Sequence, residues 1–275
     1  MDAATAPEQA GTLRGIPAAR IELIERIVAA ARRAGRRSDN PNLRREFLRA
    51  YFRGVAEEDL RAREPEALAS AALAHLELGM RRAPGRALIR VFNPDPQRDG
   101  FTSPHTIVLV VTDDMPFLVD SLGIVFDRAD VAVHLIVHPV LAVRRERNGR
   151  LTDARAAGTI QGRAESWQMY EIDRQIDPER IAALERGIES ALADVRAAVE
   201  DWMPMRERVR EIVARLESDP PPLDQSEVSE ARRLLDWIEA AHFVFLGYRY
   251  YRLERGRAVD RLVPVEKTGL GILRT

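Results

Sequence analysis

HTIVLVVTDDMPFLVDSLGIVFDRADVAVHLIVHPVLAVRR, His105 to Arg145, reads in one pass as strand, acidic turn, helix and strand. His105 to Thr112 is a β-branched apolar run bounded by Pro104 and Asp113, the pattern of a central strand buried on both faces. Asp113 and Asp114 suit a turn and helix start, and Pro116 fits the first helical turn, where its missing N–H is harmless. Phe117, Leu118, Ser121, Leu122, Val125 and Phe126 then recur at spacings of three and four, which predicts an apolar stripe lying on a sheet. Val131 to Val143 resumes the strand pattern.

Working outward, Ala19 to Ala34, Leu43 to Arg53 and Glu57 to Arg82 carry helical periodicity, punctuated by Asn40-Pro41 and Ala83-Pro84-Gly85. Ala87 to Phe92 reads as a strand and ends in the loop NPDPQRDG. Asn148-Gly149 supplies the left-handed backbone of a tight hairpin turn, a loop runs to about Ala164, and Glu165 to Gln175 reads as the next strand. Ile181, Leu184, Ile188, Leu192, Val195, Val199 and Trp202 define an amphipathic helix that Pro204 breaks or kinks. Another helix runs to about Leu216, DPPP follows, and Ser226 to Ala241 is helical before a strand from His242 to Leu253.

The expected fold class is α+β: a ferredoxin-like βαββαβ antiparallel sheet elaborated with extra helices and preceded by a mainly helical region. Its four strands are placed near His105–Thr112, Val131–Val143, Glu165–Gln175 and Phe243–Leu253, with helices on one face. The expected organisation is a helical region over 1–95, the sheet domain over 96–260, and the start of a linker over 261–275.

Composition narrows the function. The chain has 275 residues, 45% of them hydrophobic, enough for a sizeable core. Its 42 basic and 43 acidic residues leave a net charge of −1, so no global field favours nucleic acid, anionic membrane or acidic substrates. Lys267 is the one lysine, which removes most candidates for a catalytic amine. The absence of cysteine excludes disulfides, thiolate metal sites and thiol nucleophiles, and fits a reducing cytoplasm. MDAATAPEQAG lacks a signal-peptide core and reads as disordered, and Val131 to Val143 is far too short to span a membrane. No G-x-G-x-x-G follows a strand, so a dinucleotide site is not expected; Gly269-Leu270-Gly271 lacks the third glycine.

Asp113, Asp114 and Asp120 admit a divalent-cation reading, weighed against a helix cap interacting with the helix dipole. His134 and His138, four apart on one strand, lie about 13 Å from each other at ~3.3 Å per residue and cannot share an ion; they face the same side. His75, in an alanine-rich helix, and His242, at a strand start, read as ordinary. On the third strand, Trp167, Met169, Glu171 and Asp173 share one face, with Tyr170 and Ile172 on the other.

The turn VTDDMPFLVDS resembles the acidic Pro-Gly turn of ACT domains, with Asp114, Pro116, Leu118 and Asp120 matching and Phe117 standing at the glycine. ACT domains are regulatory modules that bind amino acids between the first strand and first helix. Further blocks, AYFRGVAEEDLRAREPEALASAALAHLELGMRRAPGRALIRVFNP, AESWQMYEIDRQ, DWIEAAHFVFLGYRYYRL and PVEKTGLGILR, resemble the amino-terminal region of the large bacterial NAD-specific glutamate dehydrogenases. That resemblance runs over most of Ala50 to Arg274. It implies a noncatalytic, ACT-like allosteric segment without its own cofactor, NAD being used elsewhere in the parent enzyme. It also implies, as partners, the parent's remaining domains, a homo-oligomer and an amino-acid effector, in the cytoplasm. The ligand set that follows from it is Asp113, Asp114, Met115, Pro116, Phe117 and His134, with backbone N–H groups taking a carboxylate and an aspartate taking an ammonium. A purely structural assembly module is the alternative.

Overall fold

A computed structural model describes residues 15–33 and 40–274. The disorder expected for MDAATAPEQAG falls outside these residues. The described residues form two compact units, one running to residue 114 and taking in 119–189, the other made of 115–118 with 190–274.

Among the described residues, four helices precede the sheet of the first unit: α1 (Ala18–Arg33), α2 (Pro41–Tyr51), α3 (Glu57–Arg61) and α4 (Pro65–Gly79). Asn40 caps α2 by accepting from the Leu43 N–H at 3.0 Å, with Pro41 in the first turn. Pro65 explains why Glu57 to Arg82 is two helices and not the single one its periodicity suggests. It has no N–H to donate, and it opens α4 where none is needed.

The sheet comprises β1 (Leu88–Phe92), β2 (Thr106–Asp113), β3 (Val133–Val137), β4 (Val140–Arg145), β5 (Leu151–Ala156) and β6 (Arg163–Ile172), with α5 (Leu118–Arg128) between β2 and β3. All pairings are antiparallel: β1 with β2, β2 with β6, β6 with both β3 and β4, and β4 with β5. The run Val131 to Val143 is therefore two strands laid along one edge of β6, interrupted at His138-Pro139, since proline cannot donate to a ladder. β5 occupies part of the stretch up to Ala164 that reads as a loop in the sequence. Gly149, at φ +82°, makes the expected hairpin turn.

The fold class stands as expected: α+β, with an antiparallel ACT-like sheet. Two details are corrected. Phe243 to Leu253 does not join this sheet; the edge beside β2, where a ferredoxin-like unit places its fourth strand, is taken by β1 from the amino-terminal side. Helices also cover both faces and not one. Ile107, Leu109, Val111, Leu135, Val137, Trp167 and Met169 pack with Phe47, Tyr51 and the buried alanines of α4 in one core. On the opposite face Phe126 of α5 meets Tyr170 with ring centroids 5.0 Å apart. Each such large side chain, fully buried, contributes about 1.5–3 kcal/mol.

The helix α6 (Pro178–Glu200) follows β6, and α7 (Trp202–Ser218), α8 (Gln225–Trp237) and a π-turn at Ile238–His242 complete the helices. The break falls at Asp201, and Pro204 sits harmlessly in the first turn of α7. Asp201 accepts from the Gly271 N–H at 2.7 Å and pairs with Arg274. The carboxyl-terminal strands are short: β7 (Gly247–Tyr248) pairs with β10 (Leu270–Gly271), and β8 (Tyr251–Glu254) with β9 (Arg261–Pro264).

Candidate functional site

β2 ends at Asp113, with Asp114 next, where Arg82 of the segment after α4, Arg145 of β4 and Glu165 of β6 also bring charge. Glu165, at 1% exposure, accepts from Arg82 at 2.9 Å and from Arg145 at 2.8 Å. Arg82 also reaches Asp113 at 2.5 Å. Burial works against the Arg82 charge, but its bonds to Asp113 and Glu165 outweigh that and raise its pKa. Asp113 is thus part of the charge cluster that fixes the strand end, and its carboxylate is already engaged.

Asp114 donates its N–H to the Ala164 carbonyl at 3.3 Å and turns its carboxylate outward. Partial loss of water around that carboxyl still raises its pKa. Met115 and Pro116 follow, and Pro116 lies two residues ahead of α5, not in its first turn. Phe117 adopts φ +68°, the left-handed conformation usually left to glycine, so the turn keeps a glycine-type backbone with a large side chain on it. That side chain is 46% exposed and leaves the apolar stripe, while Leu118, Leu122 and Phe126 are buried. Pro116 and Phe117 line an apolar cavity of about 290 Å³ with Ala198, Val199, Trp202 and Phe245.

His134 is not near this turn. β2 and β6 pair so that Asp113 faces Glu165 while Thr106 faces Ile172, and β3 pairs beside Ile172. Seven residue steps, about 23 Å, separate the two strand ends. At its own end His134 contacts Asp173 at 2.7 Å and stacks on His105 with centroids 4.2 Å apart. The His134 hydrogen bond is the main cause that holds the Asp173 carboxyl below its usual range. His138 sits exposed in the break between β3 and β4.

Two arrangements escaped the sequence reading. Arg63 joins Glu171 at 2.8 Å and the His134 carbonyl at 3.2 Å, beside a cleft of about 340 Å³. Contacts this far apart in sequence leave no local signal. His75 is wholly buried, with Nδ1 2.8 Å from the Tyr51 hydroxyl and Nε2 3.2 Å from the Val110 carbonyl. The carbonyl can only accept, so Nε2 carries the proton and Nδ1 accepts from tyrosine. Burial pushes the His75 pKa down to about 3. The cation reading of Asp113, Asp114 and Asp120 finds no support: among the described residues no group of three or more His, Cys, Asp or Glu could hold a metal ion. Among them also no helix is long and apolar enough to cross a membrane.

Comparison with known proteins takes in the whole sheet. The family model described as "Glutamate dehydrogenase, ACT1 domain" matches residues 47–188, from α2 through β1 and into α6. The NAD-specific glutamate dehydrogenase of Halomonas elongata is 34% identical over 237 residues, covering 83% of this chain and 14% of that protein. That of Pseudomonas aeruginosa is 33% identical over 231 residues, with the same coverage on both sides. That of Mycobacterium tuberculosis is 29% identical over 208 residues, 73% of this chain and 12% of that protein. The chain thus spans about 14% of the length of the first two relatives. With an ACT-like antiparallel sheet and a family match over the residues that build it, the chain belongs to the glutamate dehydrogenase ACT1 domain family.

Proposed function

We propose that this chain is a noncatalytic regulatory segment of an NAD-dependent glutamate dehydrogenase, an enzyme that converts L-glutamate to 2-oxoglutarate and ammonia. Its task is to sense an amino acid at the turn between β2 and α5 and to bias a remote active site through domain contacts. The observation that carries this reading is the turn itself: a strand-to-helix connection with left-handed backbone at Phe117 and an outward carboxylate at Asp114. Backbone N–H groups there suit a ligand carboxylate, and Asp114 suits its ammonium. Asp113 supports the turn through Arg82, and His134 at the far strand end takes no part. Calorimetric titration of the chain with the twenty amino acids tests it. Asp114→Ala removes a charged hydrogen bond and should weaken binding by ~1.5–3 kcal/mol, roughly ten- to hundredfold. Unchanged affinity in the folded variant would move the site elsewhere.

A second reading is a ligand-free module for subunit assembly. It is favoured by the Phe117 side chain, which stands where a ligand would approach the backbone. Failure of all twenty amino acids to bind would select it.

A further inference from the structure

The single lysine of the sequence, Lys267, lines an open cleft of about 430 Å³ within the second unit. One wall is a face of α7: Arg208, Glu211, Ile212 and Arg215 follow at spacings of three, four and seven, which a helix brings to one side. Tyr248, Tyr250, Thr268 and Leu270 line the rest of it. Arg208 and Glu211 pair at 2.6 Å and neutralise each other. Arg215 and Lys267 also line the cleft, and neither makes an ion pair among the described residues. Three cations against one carboxylate leave two positive charges.

The lysine is held in place by its turn. Its backbone is left-handed, at φ +60°, a conformation that costs a lysine about 1–2 kcal/mol relative to glycine. Next to it, the Thr268 hydroxyl donates to the Val265 carbonyl at 2.7 Å and accepts from the Tyr250 N–H at 3.2 Å, tying the turn to the strand beneath. Tyr248 and Tyr250, which line the same cleft, each carry a hydroxyl that can donate a hydrogen bond.

We propose that this cleft binds a small dianion, a phosphate ester or a dicarboxylate, between Arg215 and Lys267. The volume falls in the range of small-molecule sites. A chain of net charge −1, with Glu211 inside the cleft, is unsuited to an extended polyanion such as nucleic acid. This site is separate from the turn at Asp114, and neither reading depends on the other.

Calorimetry on the whole chain at low ionic strength, with inorganic phosphate, AMP, succinate and acetate as probes, tests the assignment. At least one of the three dianions should bind, and acetate at least tenfold more weakly. Binding of phosphate and AMP but not succinate identifies a phosphate site, and the reverse a dicarboxylate site. Arg215→Gln and Lys267→Gln should each weaken binding about tenfold or more, in line with loss of a charge-assisted hydrogen bond. Arg233→Gln, on α8 outside the cleft, removes the same charge and should change little; circular dichroism verifies that each variant is folded. The proposal is overturned if no dianion binds at millimolar concentration, if acetate binds as well, or if Arg233→Gln weakens binding as much as the cleft variants.

Discussion

The neutral, buried His75 makes an acid-sensitivity prediction that can be worked through in numbers. In the unfolded chain an imidazole titrates near 6.5, whereas in the folded chain burial holds it down to about 3. Between those values the unfolded state binds a proton that the folded state refuses, so stability rises with pH across this window. The contribution is fully present above pH 6.5 and is lost progressively as pH falls toward 3. At pH 5 the loss relative to pH 7.5 comes to about 2 kcal/mol, and at pH 3 to about 4 kcal/mol. Trp167 lies 5.1 Å from the His75 ring and reports the surrounding core by fluorescence, once Trp202 and Trp237 are replaced by Phe. Urea unfolding in that background should show the midpoint falling between pH 7.5 and 5 without a change in slope. Carboxylates also respond to acid, so the comparison that matters is with His75→Gln, which cannot take up the proton. This variant should be less stable at pH 7.5 but lose about 2 kcal/mol less than the parent on acidification. If its pH dependence matches that of the parent within about 0.5 kcal/mol, His75 is not held neutral by burial and the reasoning fails.

Three substitutions probe the packing and the turn. Glu165→Gln leaves Arg82 its bond to Asp113 but strips Arg145 of its carboxylate, with only backbone carbonyls left to it, and should cost about 3 kcal/mol in urea unfolding; a loss under 1 kcal/mol would mean the cluster rearranges freely. Gly79→Ala would stabilise an ordinary helix by about 1 kcal/mol, but here the new Cβ would lie 2.0 Å from the Trp167 ring, so thermal melting should show net destabilisation. At position 117, Gly should give a protein about 1 kcal/mol more stable than Ala, since only glycine is free of the left-handed penalty; equal melting temperatures would contradict the backbone reading.

Local pattern carried much of the fold. The β-branched run before Asp113, the three- and four-residue spacing after it, and Asn148-Gly149 each placed an element where it stands, because burial on a sheet and a left-handed turn both leave marks within a few residues. β5 was missed because Leu151–Ala156 sets threonine, aspartate and arginine, all half-buried, between its buried residues, so no regular alternation of apolar and polar residues marks it. At the candidate site the acidic turn was legible, but its chemistry was not. The engagement of Asp113 by Arg82 depends on residues 31 apart, and the separation of His134 from the turn depends on strand register. Neither leaves a trace in the spacing of the residues concerned.

The misplaced fourth strand shows where alternation stops being informative. Phe243 to Leu253 has the aromatic and aliphatic content of a strand, yet Phe243, Val244, Leu246, Tyr250, Tyr251 and Leu253 are all exposed. An apolar pattern records what can be buried, not which edge is vacant when the chain arrives. Leu88–Phe92 reaches the β2 edge first in sequence, pairs along five residues from Leu88 with Val111 to Phe92 with Ile107, and is pinned by Glu185 of α6, which accepts from the Val91 N–H at 3.0 Å. With that edge filled, the sheet of the first unit needs nothing beyond α6. The family match ends at residue 188 and the unit boundary lies at 189, both within α6. The exposed apolar residues after 240 belong to the second unit, whose two-stranded ladders are too short to bury them, so the same pattern that builds a core strand in the first unit stays at the surface here.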